Sequence, residues 1–272
     1  MNNNPIGIFD SGIGGLTVLK EYMKMLPNED FIYYADTANL PYGDKNKEQI
    51  IEYASKIVTY FISRNVKAII IACGTASSLA YQYLIKNFDI PIFNIIEPVA
   101  KNLKEKDIGI IATAGSISSH VWENEIRKFN PESTITSVAC PKLVPLAEKG
   151  LTNSSQAKNA IKNYLKIFKA KKISSLILGC THYPLFSDII EKELGKDVKL
   201  INTGIYSANE FKQYLEQNNL FNDTQNISKV DYIVSGNKNI FIQNANMLGM
   251  KIMQPERTHE KTPLLISCKE GS

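Results

Sequence analysis

Two cysteines of this chain stand in matching local sequences, and paired thiols can take and give protons at a substrate. Cys73 and Cys180 each end a short apolar run and are followed within two residues by a threonine, Thr75 and Thr181. Apolar runs of this length, bounded by turn residues, predict buried parallel strands. A cysteine at the carboxyl end of such a strand lies at the edge where open α/β sheets bind ligands. One such thiol in each half of the chain predicts a pair that faces across a single ligand.

The predicted surroundings of these thiols favour their ionised form. A helix-like segment follows both Cys73 and Cys180. Amide donors and the dipole at a helix N-terminus stabilise a thiolate and lower the pKa of the thiol. His182, two residues beyond Cys180, could orient or protonate a group near that sulfur. By contrast, the position of Glu148 is typical of a solvated helix end.

The remaining cysteines and histidines have no comparable neighbours. Cys140 precedes a proline and Cys268 lies near the C-terminus, which indicates structural or incidental thiols. His120 and His259 are isolated. The four cysteines form no CxxC pair, and a chain of this size without a secretion signal is not typical of a disulfide framework. We therefore expect neither structural zinc nor another metal site.

A glycine-rich turn at residues 10–15 lies between a predicted strand and a predicted helix. Its glycines allow a tight turn with exposed amide groups, which is a natural anion site at a helix start. We interpret it as a carboxylate-binding turn with Asp10 and Ser11 as polar ligands. A dinucleotide-binding loop is the alternative, with Asp36 ending the next strand, but Thr17 stands where the last glycine of that motif belongs.

A second turn, Pro41-Tyr42-Gly43, follows the second predicted strand. Pro-Tyr-Gly is a turn signal, and a tyrosine in such a turn is ordinarily a surface residue. Because three strand-end loops would share one sheet edge, we expect this turn to contribute to the site as well.

Composition places the chain among soluble globular proteins. Its 272 residues are enough for one large domain or two of ordinary size, and 44% hydrophobic residues allow a full core. No secretion signal is apparent and no apolar stretch reaches the roughly 18 residues of a membrane span, so a cytoplasmic location is expected. The net charge of +4 comes from dispersed lysines with few arginines, so nucleic-acid binding is not indicated.

Strand-like and helix-like segments alternate along the chain, which predicts parallel sheets with helices on both faces. The predicted strands span 6–10, 31–36, 68–73, 90–95, 107–112, 134–139, 175–180, 198–202 and 230–235. The predicted helices span 15–25, 46–64, 75–87, 98–104, 116–129, 155–169, 184–194, 206–218 and 238–249.

An internal repeat relates the two halves of this pattern. The segment 6–12 resembles 108–115, and the two cysteine strands repeat at nearly the same offset. We predict an α/β fold with two pseudo-symmetric parallel-sheet α/β domains and the active site in the cleft between them. The expected division is domain 1, residues 1–97 and 205–253; domain 2, residues 98–204; and a tail, residues 254–272.

Taken together, these motifs resemble those of the glutamate racemases, members of the two-cysteine, cofactor-independent Asp/Glu racemase family. The family pattern has Asp-Ser-Gly-x-Gly-Gly after the first strand and Pro-Tyr-Gly after the second. Cys-Asn-Thr follows the third strand, and Gly-Cys-Thr-His-Tyr-Pro lies in the second half. This chain has the corresponding residues at 10–15, 41–43, 73–75 and 179–184, so the resemblance covers roughly residues 5–253.

The resemblance implies an isomerase that interconverts L- and D-glutamate and supplies D-glutamate for peptidoglycan synthesis. It implies that Cys73 takes the proton from D-glutamate and Cys180 from L-glutamate, with Asp10 and His182 as the further catalytic residues. The substrate-binding residues implied are Asp10, Ser11, Pro41, Tyr42, Gly43, Gly74, Thr75, Ser116, Thr181 and His182. No cofactor is implied, and no lysine has the context of a pyridoxal phosphate Schiff base. The resemblance implies glutamate as the small-molecule partner and implies no binding to nucleic acid or to a membrane. It allows a homodimer.

Three positions depart from the family pattern. Gly74 stands where Asn is common, Ser116 stands near a common Thr, and residues 202–204 read Asn-Thr-Gly instead of Asp-Ser-Gly. The missing side-chain amide at Gly74 predicts altered substrate affinity. The alternatives left open are an aspartate or other amino-acid racemase of the same group, a nucleotide-binding Rossmann protein, and a ligand-binding protein without turnover. The presence of His182 favours glutamate over aspartate.

Overall fold

Ten strands form two parallel sheets in the computed structural model, which describes residues 1–223, 228–247, 249, 252 and 256–257. In chain order the strands are β1 (Ile6–Asp10), β2 (Phe31–Ala35), β3 (Ala68–Ile71), β4 (Ile92–Asn94), β5 (Asp107–Ala112), β6 (Thr134–Ala139), β7 (Ser175–Leu178), β8 (Lys199–Asn202), β9 (Val230–Val234) and β10 (Glu256–Arg257). The helices are α1 (Leu16–Met25), α2 (Lys47–Ser63), α3 (Gly74–Leu79), α4 (Tyr81–Asn87), α5 (Glu97–Asn102), α6 (Ala114–Ser118), α7 (Val121–Phe129), α8 (Leu143–Glu148), α9 (Ser155–Lys171), α10 (Ser187–Leu194), α11 (Thr203–Gln217) and α12 (Lys238–Met247). Short 3-10 turns span Tyr42–Asp44 and Tyr183–Phe186.

The two sheets share one strand order, which confirms the predicted fold class. The first sheet runs β10-β9-β2-β1-β3-β4 and the second runs β6-β5-β7-β8. The part β2-β1-β3-β4 of the first sheet is therefore matched strand for strand by the whole of the second. Because β3 and β7 occupy equivalent places, the loops that follow them, with Cys73 and Cys180, are related by the same pseudo-symmetry.

The strands at the centre of each sheet are buried on both faces, as parallel strands between helices must be. β1, β3 and β7 are buried along their whole length. One apolar cluster joins the facing sides of both sheets and includes Ile70, Ile110 and Trp122, and each sheet packs a further cluster on its outer side. The helices α5 and α11, which follow β4 and β8, pack against each other. The connection between the halves is therefore part of the core.

α2 shows how the sequence specifies these elements. The Asn46 side chain accepts from the Gln49 amide at 2.8 Å, and the Gln49 side chain accepts from the Asn46 amide at 3.1 Å. This reciprocal capping box satisfies donors that a helix start leaves unpaired. The apolar residues spaced along the helix, such as Ile50 and Phe61, are buried against the first sheet.

Several helical segments differ from the predictions. The predicted helix 184–194 begins with the 3-10 turn Tyr183–Phe186, and the predicted helix 206–218 begins earlier, at Thr203. The predicted helix 75–87 is interrupted at Ala80, which separates α3 from α4, and the predicted helix 116–129 is interrupted at His120. His120 has a left-handed φ of +54°, which ends one helix and begins the next. α8 was not predicted, because it has six residues and contains Pro145, a residue tolerated only near a helix start.

The domain boundaries remain a prediction. The two sheets are nevertheless built from different parts of the chain. Strands between residues 6 and 94 and between 230 and 257 form the first sheet, and strands between 107 and 202 form the second. Within the predicted tail, Glu256–Arg257 form β10 at the sheet edge. The rest of that tail, including His259 and Cys268, lies outside the described residues. No helix in the described ranges is long and apolar enough to cross a membrane.

Candidate active site

A cleft at the carboxyl edges of the two sheets brings the predicted loops together. The cavity in this cleft has a volume of about 40 Å³, so the two halves nearly close on each other there. The first half lines it with Ser11, Pro41, Tyr42, Gly43, Asp44, Cys73, Gly74 and Thr75, and the second half lines it with Thr113, Ala114, Pro141, Val144, Pro145, Cys180, Thr181 and His182. Asp10 and Ser116, which were also predicted to bind substrate, are fully buried and do not line the cleft.

The two thiols face this cleft from opposite halves of the molecule. Cys73 is the N-cap of α3 and Cys180 follows β7, and they are 4% and 5% exposed. Burial and the nearby charge of Asp10 raise the pKa of Cys73 to about 12. The expectation that the helix start would lower this pKa is wrong, because desolvation outweighs the amide donors of Thr75 and Ala76. Cys73 is therefore a protonated thiol at neutral pH.

His182 links Cys180 to a carboxylate. The His182 Nδ1 lies 3.8 Å from Cys180 Sγ, and its Nε2 lies 2.6 Å from Glu148 Oε1. Burial alone would lower the pKa of His182, but the hydrogen bonds to Cys180 and Glu148 raise it well above its ordinary value. An imidazolium donates from both ring nitrogens, so a protonated His182 can donate to the Cys180 sulfur and to the Glu148 carboxylate at the same time.

The expectation that Glu148 is a solvated helix end is wrong. Its side chain is only 15% exposed, and besides His182 it accepts from the Ile13 amide at 3.2 Å. A Cβ on Gly12 would come within 2.5 Å of Glu148 Oε1, so the glycine turn of the first half gives the carboxylate its space. The pairing joins residues 34 positions apart through the unpredicted α8, and no local sequence pattern indicates it.

Asp10 anchors the glycine turn instead of facing the cleft. Its Oδ2 accepts from the amides of Gly12 and Gly15, both at 3.0 Å, and its Oδ1 accepts from the Thr181 hydroxyl at 3.2 Å. Burial raises the pKa of Asp10, against the opposing charge of His182 and these hydrogen bonds. The aspartate thus organises its own turn and ties it to the loop of the second thiol, and a direct catalytic role for it remains a prediction.

Hydroxyl pairs join the two halves beside the thiols. The Thr75 and Thr113 hydroxyls lie 2.8 Å apart, and the Ser78 and Ser116 hydroxyls lie 2.6 Å apart. Ser116 therefore connects α6 to α3 and is fully buried. Thr113 was not singled out from the sequence, although it follows β5 as Ser11 follows β1 and the internal repeat could have indicated it.

The residues of the Pro41–Gly43 turn line the cleft, and the Tyr42 side chain is buried in the apolar cluster of the first half. The Tyr42 hydroxyl donates to Asp36 Oδ2 at 2.6 Å, and Asn39 and Ser235 also donate to this carboxylate. Asp36, which the dinucleotide alternative placed at the end of the next strand, is therefore a structural anchor of this turn.

No side chain fits at Gly74. A Cβ there would lie 2.2 Å from the Gly179 carbonyl oxygen and 3.7 Å from the Cα of Cys180. Because the obstructing atoms are backbone, a side chain would require the two halves to move apart. The glycine that departs from the family pattern is therefore matched to a close approach between the start of α3 and the second thiol loop.

The other predicted incidental residues lie away from this arrangement. Cys140 is fully buried, donates to the Val138 carbonyl at 3.7 Å and does not line the cleft. His120 is exposed at the start of α7. Among the described residues, no cluster of three or more His, Cys, Asp or Glu side chains could hold a metal ion.

Comparisons with known proteins agree on one family. A sequence model described as Asp/Glu/Hydantoin racemase matches residues 18–209. Glutamate racemase 2 of Caldanaerobacter subterraneus subsp. tengcongensis is 42% identical over 257 residues, 93% of this chain and 96% of that protein.

Solved structures extend this similarity to three dimensions. A glutamate racemase isoform from Bacillus anthracis superposes with a TM-score of 0.90 at 31% identity, covering 96% of this chain and 99% of that chain. The glutamate racemase of Francisella tularensis in complex with D-glutamate superposes with a TM-score of 0.88 at 36% identity, covering 95% and 98%. The similarity therefore extends over both halves of the molecule and the cleft between them.

Proposed function

This chain belongs to the Asp/Glu/Hydantoin racemase family, and we propose that it interconverts L- and D-glutamate with two cysteines as the acid and base. The observation that carries the proposal is the presence of two buried thiols, one from each half, on the walls of one small cleft. Racemisation removes a proton from one face of the α-carbon and delivers one to the other, so groups on opposite sides are what the reaction needs.

The two thiols have different surroundings. Cys73 is held as a thiol by burial and by Asp10, whereas Cys180 lies beside the charged His182. The reaction needs one thiol as the acid and the other as the base, and the His182 imidazolium can stabilise negative charge on the Cys180 sulfur when that charge forms. In the form with Cys180 as thiolate, Cys180 removes the α-proton of L-glutamate and Cys73 protonates the other face. The reverse reaction begins with Cys73 as the base.

The rest of the cleft supplies groups that can bind the two carboxylates of glutamate and stabilise the negative charge that develops at its α-carbon. Free amino acids are weak carbon acids, so charge at the α-carbon must be stabilised by preorganised donors. The candidates are the amides around Gly43, Gly74 and Thr181 and the hydroxyls of Ser11 and Thr75, all of which line the cleft. The imidazolium of His182 adds a positive charge on the Cys180 side.

The proposal is tested by incubating the purified, cofactor-free protein with L-glutamate and following the loss of circular dichroism. We expect the signal to decay to zero from either enantiomer, because the two have equal free energies. In D₂O, each turnover should introduce deuterium at the α-carbon, since a thiol exchanges its proton with solvent. L-Aspartate is the competing substrate, and faster decay with aspartate than with glutamate would contradict the substrate assignment.

Substituting Gly74 by alanine should lower kcat/KM for glutamate by at least about tenfold, because misplacing reacting groups by a fraction of an ångström is costly. The new Cβ would meet the Gly179 carbonyl oxygen and separate the two thiols. Gly115→Ala is the matched control, since a Cβ there has only ordinary contacts, the nearest at 3.4 Å. Equal activity of the two variants would show that the separation of the halves at Gly74 does not matter.

The wider role and setting are part of the proposal. Supply of D-glutamate for peptidoglycan synthesis in the cytoplasm is the role that the family resemblance implies. The family resemblance also allows a homodimer, and sedimentation of the purified protein measures its oligomeric state directly.

A further inference from the structure

The C-terminal helix α12 belongs to the first half but reaches the end of α8 in the second half. Phe241 of α12 stacks near Tyr33 of β2, with ring centroids 6.3 Å apart, which fixes the helix to the first sheet. Further along α12, the Asn244 side-chain amide donates to the Glu148 carbonyl oxygen at 2.8 Å. Asn244 is only 5% exposed, so this bond is shielded from water.

A second contact covers the same helix end. Gly150, just beyond α8, has a φ of +68° and its amide donates to the Ala147 carbonyl. Met247 of α12 packs against Gly150. A Cβ added to Gly150 would come within 2.8 Å of Met247 Sδ and Cε. α12 therefore packs on the end of α8 through both an apolar and a polar contact.

Glu148 is the last residue of α8, and this position makes an outside donor useful. The final carbonyls of a helix have no intrahelical partner, and a short helix frays at that end. The bonds that close α8 use the carbonyls of Pro145, Leu146 and Ala147. The bond from Asn244 supplies a partner for the next carbonyl, which is that of Glu148.

We propose that Asn244 is a positioning residue for the racemase reaction, because by holding the Glu148 backbone it keeps the Glu148 carboxylate against His182. This inference rests on the proposed function. The titratable groups facing His182 are Cys180 on its own loop, Glu148 from α8 and Asp10 from β1. Among these, Asn244 contacts Glu148, so its removal should act on His182 through that carboxylate alone.

The test measures the charge of His182 directly. The chain has three histidines, so the imidazole NMR signals are few, and the His182 signal is identified by its absence from a His182→Gln variant. We expect Asn244→Leu, which has nearly the same shape without the amide, to move the His182 titration to lower pH. The direction is that expected of Glu148→Gln, because a retreating carboxylate stabilises the imidazolium less. Racemisation should fall on the order of tenfold in kcat/KM.

Asn246→Leu is the matched control, since Asn246 lies on the exposed side of the same helix. It should leave both the His182 titration and racemisation unchanged. Asn244→Ala repeats the measurement with a smaller side chain, and thermal unfolding shows that each variant is folded. The proposal is overturned if His182 titrates in the folded Asn244 variants as it does in the wild-type protein, even if activity falls. It is also overturned if Asn246→Leu shifts the His182 titration as much as Asn244→Leu does. Absence of racemisation in the wild-type protein would instead overturn the proposed function, and the titration shift would still report the contact.

Discussion

Replacing either Cys73 or Cys180 by serine is expected to abolish racemisation, with kcat falling by at least about 10³-fold in each single variant. Serine has nearly the shape of cysteine, but its hydroxyl is a far weaker acid and cannot serve as a base near neutral pH. Each direction of the reaction needs both groups, one to remove the α-proton and one to deliver a proton to the opposite face. Either substitution should therefore eliminate conversion of both enantiomers, measured as decay of circular dichroism from L- and from D-glutamate.

Cys140→Ser is the control, because it removes a buried thiol that does not line the cleft. Cys140 is buried in the second half, and a serine there can keep the hydrogen bond to the Val138 carbonyl. We expect it to retain racemisation at close to the wild-type rate. Turnover near the wild-type level in Cys73→Ser or Cys180→Ser would contradict the two-thiol reaction, provided that thermal unfolding shows each variant to be folded.

The sheets could be predicted from the sequence because parallel strands buried on both faces have a strong signature. The apolar runs that became β1, β5 and β6 have the predicted bounds, and other strands differ by one or two residues at their ends. Their equivalence was also visible, since the turn after β1 resembles the turn after β5. The helices were less certain where a single residue decides the outcome, as at His120, whose left-handed backbone no periodicity indicates.

The site could be predicted in part, because its thiols stand at strand ends where the chain itself places them. What the sequence did not reveal are the contacts between the halves. The sequence around Glu148 predicts a solvated helix end, but its carboxylate bonds the His182 ring and the Ile13 amide. The family pattern alone predicts that Gly74 removes a binding group, whereas the structure gives a steric reason for the glycine at the Gly179 carbonyl. Both features depend on how closely the two halves approach each other in the folded protein, and a local sequence pattern does not indicate that distance.

Substituting Glu148 by glutamine should move the alkaline limb of the kcat/KM profile to lower pH. In the native protein the pKa of His182 is raised, in spite of burial, by its hydrogen bonds to Cys180 and Glu148. A raised pKa means that the imidazolium persists to higher pH, so it is present beside Cys180 over the neutral range. Glutamine keeps an oxygen that can face Nε2 but removes the charge, so the imidazolium is lost at lower pH.

The size of the effect follows from what the imidazolium does in the reaction. It stabilises negative charge on Cys180 and near the α-carbon in a closed cleft, where a preorganised positive charge has a large effect. We expect turnover of Glu148→Gln to fall on the order of tenfold to a hundredfold on the alkaline side, with a smaller loss at mildly acidic pH. The alkaline limb should move together with the His182 titration followed by NMR, because the charge of that ring is what the substitution changes.

Glu105→Gln separates this effect from a general change in protein charge. Glu105 pairs with Lys199 at 2.9 Å on the surface of the second half, and exposed ion pairs of this kind contribute little. It should leave the pH profile where it is. An unchanged alkaline limb in folded Glu148→Gln would mean that the carboxylate does not hold the charge on His182. The charge on His182 would then depend on its other neighbours, which include the Cys180 sulfur at 3.8 Å and the Asp10 carboxylate.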